Sequence, residues 1–470
     1  MGNRLVILGA GPGGYVAAIK AGALGMKVVL IEKAELGGTC LNHGCIPSKI
    51  MKNSSDLFMK IKDSAQFGIN MCGDINFDIK VLMQRKEKII ETQRKGIEAL
   101  LKKNNVELIK GKGYIKDKGV IIVESREIHF DKLIIATGTK PLDMEAFSFD
   151  HKYILSSNDL LCIDEIPGSI TIVGGGVIGC EFAFILSSLG TKVTIVEAMS
   201  RLLPLPSVDE NCSKVMQREM KKRKIKILID RMVKTVDIHK GKLLLKIEKS
   251  PFSTGNKNIA QQIIESEKMV VCVGRTPLTS DIGIENLGLK LDARGWIKVN
   301  DYMETEVNGV YAIGDILGPS KVMLAHVASH EGMVAVDNMI GKTNKMEYDS
   351  IPGGIFTCPE IGNVGLSETE AVNQGFLVNS FSVNFRTLGK AQAIGEIAGE
   401  AKIVVEKKTN RILGVHIIGP HATDLIAEAT LAVTKQLSVS DLINTIHAHP
   451  TLAEIMSEVA LKANGTPLHG

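Results

Sequence analysis

One segment of this chain occurs twice. Residues 5–33, LVILGAGPGGYVAAIKAGALGMKVVLIEK, and residues 170–198, ITIVGGGVIGCEFAFILSSLGTKVTIVEA, align without a gap at an offset of 165. Gly9, Gly11 and Gly14 fall on Gly174, Gly176 and Gly179, Gly25 falls on Gly190, and Glu32 falls on Glu197. Each copy runs from a β-rich stretch through a glycine turn into a helical stretch, then a second β-rich stretch ending in an acid. That is the order of a βαβ unit. The first glycine permits the sharp turn, the second lets backbone N–H groups approach a pyrophosphate, and the third lets helix and strand pack closely. The helix N-terminus faces the phosphate charge, and the acid can accept hydrogen bonds from ribose hydroxyls. One such turn is a weak signal. Two in the same register, each with its acid, point to two dinucleotide sites. Glu197 favours NAD over NADP at the second, because a 2′-phosphate would meet a carboxylate; Arg201 nearby tempers this.

A second repeat extends the first. Lys132-Leu-Ile-Ile-Ala-Thr-Gly-Thr-Lys-Pro141 resembles Lys268-Met-Val-Val-Cys-Val-Gly-Arg-Thr-Pro277, each a strand ending in a glycine turn downstream of its own nucleotide unit. At 470 residues the chain has room for two to four domains. The expected class is α/β, with two Rossmann-like dinucleotide-binding domains, the second inserted in the first. The first domain occupies 1–145 and resumes over 278–348; the second occupies 146–277. Val310-Tyr-Ala-Ile-Gly-Asp315 reads as a further strand whose terminal aspartate suits either a cofactor's sugar or ribityl chain or a solvated turn. From 349 to 470 the texture changes. Strands at Ala401–Val405 and Ile412–Ile418 alternate with helical patterns at 366–375, 421–436 and 452–463, an α+β arrangement without a nucleotide motif.

A net charge of +4 gives no reason to expect nucleic acid, and six Tyr and one Trp leave little for base stacking. No apolar run is long enough to span a bilayer. The N-terminus enters a strand pattern at once, without the parts of a secretory signal, and Met1-Gly2 lacks the Ser or Thr at position six that myristoylation wants. The chain therefore reads as cytoplasmic, or as a protein of an organelle matrix if a transit peptide precedes it.

Eight cysteines in so long a chain do not make a disulfide scaffold. Two stand together in Gly37-Gly-Thr-Cys40-Leu-Asn-His-Gly-Cys45-Ile-Pro-Ser-Lys49, directly after the first nucleotide unit. In a regular helix their Cα atoms would lie roughly 8–9 Å apart, whereas a disulfide wants them within about 7 Å. A bond between them needs a distorted turn, which Gly44 and Pro47 favour. A strained, accessible disulfide is easily reduced and suits redox work. Two other readings compete. Cys40, His43 and Cys45 could bind a metal, though a closed zinc site needs a fourth ligand; or both thiols are inert. The other six cysteines read as ordinary core thiols.

At this segment the chain resembles the pyridine nucleotide-disulfide oxidoreductases, most closely members that oxidise dihydrolipoyl groups. The carrying residues are GGTCLNHGCIPSK at 37–49, ATG at 136–138, GGGVIGCE at 174–181, VGRTP at 273–277, YAIGD at 311–315, MLAHVASHEG at 323–332 and HAHPTLAE at 447–454. They follow in order across the chain. The resemblance implies a flavoprotein that oxidises protein-bound dihydrolipoamide with NAD+ through a Cys40–Cys45 disulfide and FAD. It implies that 349–470 is a dimerisation domain, that each active site of the homodimer combines two subunits, and that a lipoyl-bearing acyltransferase core is the partner. FAD would lie along Gly9, Gly11, Gly14, Glu32, Lys33, Gly38, Thr39, Lys49, Gly113, Thr137, Gly138, Asp315, Met323, Leu324, Ala325 and His326. NAD would lie on Gly174, Gly176, Val177, Ile178, Gly179, Glu181, Glu197, Val233 and Gly274. No metal is implied. Cys40 would exchange with substrate, Cys45 would face the flavin, and His449, backed by Glu454, would be the acid/base from the partner subunit. Chemically His447 is an equal candidate; only the resemblance favours His449, with a cis bond before Pro450. It also implies a Lys49–Glu181 ion pair near the flavin.

The segment Ile316–Val322 is about two residues longer than the family pattern, and His43 stands where valine is common. A glutathione-type relative would read VNVGCVPKK at the cysteines, and a mercuric-type relative would end in a further cysteine pair; this chain does neither. From a different class, a redox-silent scaffold that keeps FAD only structurally is a rival that intact Cys40, Cys45, His449 and Glu454 argue against.

Overall fold

The computed structural model describes residues 4–253 and 260–469; Met1-Gly2, with the lipidation reading, and Gly470 lie outside them. The two sequence repeats become two matching units. Strand Arg4–Leu8, helix Pro12–Ala23 and strand Lys27–Glu32 recur as strand Ser169–Val173, helix Val177–Ser188 and strand Lys192–Val196. In each unit the first strand pairs in parallel with the second on one side and with the later repeat strand, Lys132–Ile135 or Lys268–Val271, on the other. Strands Glu107–Lys110 and Val310–Ala312 complete the first five-stranded sheet; Lys226–Leu228 and Ile154–Ser156 complete the second. The inner strands read as near-continuous apolar runs, because the middle of a parallel sheet is covered on both faces. Leu5, Val6 and Ile7 have no exposed surface at all.

The inserted position of the second unit is visible in one small feature. Thr139–Pro141, where the chain leaves the first unit, pairs antiparallel with Arg275–Pro277, where it returns. Each unit also carries an antiparallel three-stranded sheet, Gly113–Asp117 with Val120–Val123 and Arg126–His129, and Arg231–His239 with Lys242–Lys249 and Gln262–Ser266.

The C-terminal part is an antiparallel sheet in the order Gly353–Ile355, Glu360–Gly365, Ile412–Gly419, Glu400–Glu406, Val378–Asn384. Its central strand, Ile412–Gly419, is buried along its whole length. Helices form at Glu368–Asn373, Ala422–Thr434 and Glu454–Ala463, inside the three helical patterns read from the sequence. The peptide bonds before Pro450 and Pro359 are cis.

One core joins all three parts at the site. Ile50, Met51 and Phe58 from helix Cys45–Lys62 pack with Ile170, Phe182 and Phe184 of the second unit and with Ile355, Ile361 and Ile418 of the C-terminal sheet. Helix Val177–Ser188 is apolar on most of its surface because Cys180 and Phe182–Leu186 are all buried.

Candidate active site

The glycines of each repeat do separate geometric work. Gly9 and Gly174 sit at φ +101° and +103°, and a Cβ on either would meet a backbone carbonyl oxygen, that of Ala136 at 2.3 Å or of Cys272 at 2.5 Å. A Cβ at Gly14 would stand 1.9 Å from the Gly9 oxygen, and at Gly179 2.0 Å from the Gly174 oxygen. Those positions hold helix against strand. The middle glycines face open space: nothing lies within 4 Å of a Cβ at Gly176, and only the Gly38 Cα, at 3.9 Å, near one at Gly11. Neither helix has a side-chain cap, so its first N–H groups point at that space unpaired by the helix itself. The cradles fit a pyrophosphate in both units.

The acids repeat as faithfully. Glu32 accepts hydrogen bonds from the N–H groups of Ala10 at 2.7 Å and Ala34 at 2.8 Å. Glu197 accepts the equivalent pair, from Gly175 at 2.5 Å and Met199 at 2.7 Å. Each carboxylate is thereby fixed over its glycine turn. Arg201 is turned away: its guanidinium donates to the carbonyls of Leu205 and Val208. Lys33 follows Glu32 at the surface.

Around the first cradle the structure gathers much of the remaining FAD set. Gly38 closes on the glycine turn, since a Cβ there would lie 2.6 Å from the Gly11 Cα. Gly38 and Thr39 open the short helix Gly38–His43. Gly113 packs over Leu8 and Ile31 at the ends of the two central strands. Thr137 donates to the Leu278 carbonyl, tying the outgoing chain to the returning one. Gly138, at φ +69°, follows. Met323 and Leu324 lead into helix Ala325–Met339, with Ala325 and His326 in its first turn and His326 Nε2 3.0 Å from the Pro352 carbonyl. That helix lies against Pro12–Ala23, with Gly332 close to the Gly13 carbonyl.

Asp315 stands in a 3₁₀ turn, Gly314–Leu317, just beyond its strand. The Gly314 N–H donates to Glu331, a buried carboxyl pushed up to about 7 by desolvation. One Asp315 oxygen already accepts from Thr139 Oγ1 at 2.9 Å, and Arg275 Nε donates to the same hydroxyl at 2.6 Å. The longer segment after it turns at Gly318, which packs flat on Trp296.

In the second unit Val177, Ile178 and Gly179 form the first turn of the helix over the cradle. Gly274, at φ +148°, sits in the turn beside it. Val233 is buried at a bulge in the antiparallel sheet. Glu181 lies on the same helix, but its carboxylate is engaged away from the cradle. It accepts from Lys49 Nζ at 2.8 and 3.1 Å and from the Phe356 N–H at 2.9 Å.

The cysteines sit on either side of a helix break. Cys40 belongs to helix Gly38–His43, and Cys45 begins helix Cys45–Lys62; Gly44 between them adopts φ −152°, ψ −111°. The break brings the two sulfurs within hydrogen-bonding reach of each other. The hydrogen bond from Cys40 pulls the Cys45 thiol down to about 7 against the cost of burial, with help from Lys49. The same bond and burial push Cys40 well above the usual thiol range. The hydrogen bond thus favours the thiolate at Cys45, with Cys40 as its donor. His43 is held below the usual imidazole range by burial and by Arg94 and Lys86. Among the described residues no three His, Cys, Asp or Glu side chains gather as a metal site would need. The other cysteines are not all core thiols, as the sequence suggested. Cys180 and Cys212 are buried and Cys272 and Cys358 half-buried, but Cys72 and Cys162 are exposed, lying in a loop and just past a short helix.

At the C-terminal end the two candidate histidines part company. His447 is 7% exposed, with Nε2 on Glu428 at 2.9 Å and Nδ1 on the Thr445 carbonyl, so both nitrogens are spent. His449 is 77% exposed, with Nδ1 on Glu454 at 2.8 Å, which leaves Nε2 facing outward. An incoming group can therefore reach the free nitrogen of His449 and has none to reach on His447.

The signal for Arg275 lay in VGRTP. Phe356 carried none, because its partners are 175 residues away or more.

Comparison with known proteins agrees with this architecture. Residues 3–332 match the family described as pyridine nucleotide-disulphide oxidoreductase, and residues 351–460 match its dimerisation domain. Dihydrolipoyl dehydrogenase of Chlamydia muridarum is 40% identical over 469 residues, 99% of this chain and 97% of its own length. The mitochondrial dihydrolipoyl dehydrogenase of Pisum sativum is 38% identical over 99% of this chain and 92% of its own length. The crystal structure of LpdA from Mycobacterium tuberculosis superposes with a TM-score of 0.90 at 24% identity, covering 98% of this chain and 99% of that one, a likeness of fold.

Proposed function

We propose, from the premise that this chain belongs to the pyridine nucleotide-disulphide oxidoreductase family, a reading of which residues do its work. It is an NAD-dependent dihydrolipoyl dehydrogenase: a dihydrolipoyl dithiol and NAD+ give the lipoyl disulfide, NADH and a proton. FAD, when bound, supplies the two-electron carrier between the cysteine pair and NAD+. The observation that carries the assignment of residues is the juxtaposed Cys40–Cys45 pair at a broken helix, packed against the first dinucleotide cradle and beside Lys49–Glu181.

Cys40 and Cys45 exchange disulfide with the substrate dithiol. In the disulfide form of the pair a substrate thiolate attacks Cys40 and Cys45, the better thiolate, leaves; the second substrate thiol then displaces Cys40, giving the lipoyl disulfide and the reduced pair. His449 takes the proton from the incoming thiol at Nε2, while Glu454 fixes its tautomer through Nδ1. Gly9, Gly11, Gly14, Glu32 and Gly38 hold FAD; Gly174, Gly176, Gly179 and Glu197 hold NAD. The domain limits 1–145, 146–277, 278–348 and 349–470 belong to the same reading.

The chain carries the family's dimerisation domain. We assign a homodimer in which exposed His449 serves the partner's cysteine pair, and a lipoyl-bearing acyltransferase core as the protein substrate. No helix among the described residues is long and apolar enough to cross a membrane. The reading places the enzyme in the cytoplasm, where thiols stay reduced.

Anaerobic titration with dihydrolipoamide, then NAD+, tests it. The visible flavin spectrum should change with the first addition and NADH fluorescence appear with the second. A spectrum that ignores dihydrolipoamide but bleaches with NADH would overturn the assignment of the cysteines.

A further inference from the structure

Phe356 touches both members of the Lys49–Glu181 pair, by two different means. Its backbone N–H donates to Glu181 Oε1 at 2.9 Å, and its ring centroid lies 4.2 Å from Lys49 Nζ. The residue follows the edge strand Gly353–Ile355 of the C-terminal sheet, whereas Lys49 lies on the cysteine helix and Glu181 on the second nucleotide helix. Its position is set by packing. Ile355 beside it is buried in the core shared by all three parts.

A lysine side chain has four rotatable carbons and a point charge at the end. An ion pair alone fixes its distance from a carboxylate better than its direction. A ring facing the ammonium selects one direction, and such a contact is attractive as well as steric. Direction matters because Lys49 and Glu181 act on Cys45 in opposite senses: the ammonium favours the thiolate and the carboxylate opposes it. Cys40 faces the same sulfur through a hydrogen bond, and Arg275 feels its charge. The net field at Cys45 is a small difference between near neighbours, and it follows the position of Lys49 Nζ.

We propose that Phe356 is a positioning residue: by clamping the Lys49–Glu181 pair it sets the electrostatic surroundings of Cys45 and ties the C-terminal sheet to the redox pair. This rests on the reading of Cys40–Cys45 as that pair. Phe356→Leu removes the ring and keeps the N–H bond; Phe356→Tyr keeps both. The readout is the pH profile of iodoacetamide alkylation at Cys45 in the reduced holoenzyme, followed by peptide mass spectrometry. Phe356→Leu should slow alkylation at pH 7 about threefold, the scale of one cation–π contact, and move the profile to higher pH, while Phe356→Tyr should match the unaltered protein. If the Leu variant does not accumulate, Phe356→Met makes the same comparison. A Leu or Met profile that superposes on the unaltered one, or a Tyr variant that shifts as far, would overturn the inference alone. An unaltered protein whose Cys45 ionises only in the ordinary thiol range would overturn the redox-pair reading and the inference with it.

Discussion

Glu454 Oε1 lies 2.8 Å from His449 Nδ1, and its other oxygen accepts the Thr451 N–H at the same distance. The carboxylate is held on two sides, by the imidazole and by the turn that leads into its own helix. Burial would raise this carboxyl, yet the hydrogen bonds from His449 and Thr451 keep it below the usual range.

This pairing separates two mutations. His449→Gln should lower turnover with dihydrolipoamide by about 10²–10⁴-fold, the worth of a general base. NADH-to-dye activity, which needs no thiol deprotonation, should survive. His447→Gln should leave turnover within a few-fold, since both nitrogens of His447 are spent on structure. Steady-state assays of both reactions on both variants decide it; equal losses at 447 and 449 would contradict the assignment.

The glycine cradles can be tested one at a time. Gly14→Ala would force a methyl to within 1.9 Å of the Gly9 oxygen, and Gly179→Ala does the same to Gly174 at 2.0 Å. Overpacking of this kind costs about 1–3 kcal/mol or more. The first variant should purify with little flavin. The second should keep its flavin and its response to dihydrolipoamide but lose NADH binding. Flavin absorbance and NADH titration read the two outcomes.

The Cys45 thiol, at about 7, should be half-reactive near neutral pH in the reduced protein, with alkylation rising as pH increases through that value. Cys40→Ala removes the hydrogen-bond donor that lowers the Cys45 thiol most. It should move the Cys45 profile toward the ordinary thiol range, near pH 8.5. An unchanged profile would mean that Lys49, not Cys40, governs the thiolate.

Stability should respond at the joint between the second nucleotide unit and the C-terminal sheet. Lys402 Nζ reaches Asp209 at 2.9 Å and Glu368 at 2.7 Å. Burial alone would raise the Asp209 carboxyl, but Lys402 and the Asn211 N–H hold it below the usual range. A depressed carboxyl stabilises the fold fully above its unfolded value, about 4, and that contribution is lost as pH falls through the folded value. Lys402→Met strands a buried charge and should cost roughly 3 kcal/mol at pH 7. The gap between variant and unaltered protein should narrow below about pH 4. Urea unfolding at the two pH values measures it.

Much of this was legible in the sequence because glycine and apolar patterns report backbone geometry directly. The 165-residue offset predicted matching strands, helices and acids, and Ala10–Glu32 and Gly175–Glu197 hydrogen bonds fall at that same offset. The Lys49–Glu181 contact also followed from the family pattern. What was hidden depends on where distant side chains end up. No periodicity distinguishes exposed Cys162 from buried Cys180, and nothing local separates His447 from His449 until Glu428 and Glu454 take opposite histidines. Phe356 sits in a segment with no motif of its own, so its contacts with helices far away in sequence needed the folded chain.

The ribbon formed by Thr139–Pro141 and Arg275–Pro277 bears on how such a molecule could arise. The outgoing and incoming chains lie side by side, so the second unit leaves and rejoins the host at a single point of its chain. A copied gene fragment dropped between neighbouring codons of the ancestral host would need no rearrangement of the sheet that received it. The reverse operation would not be local: joining Lys140 to Thr276 through a tight turn would keep the host's strand order but strip Ile50, Met51 and Phe58 of the cover that Phe182 and Phe184 supply.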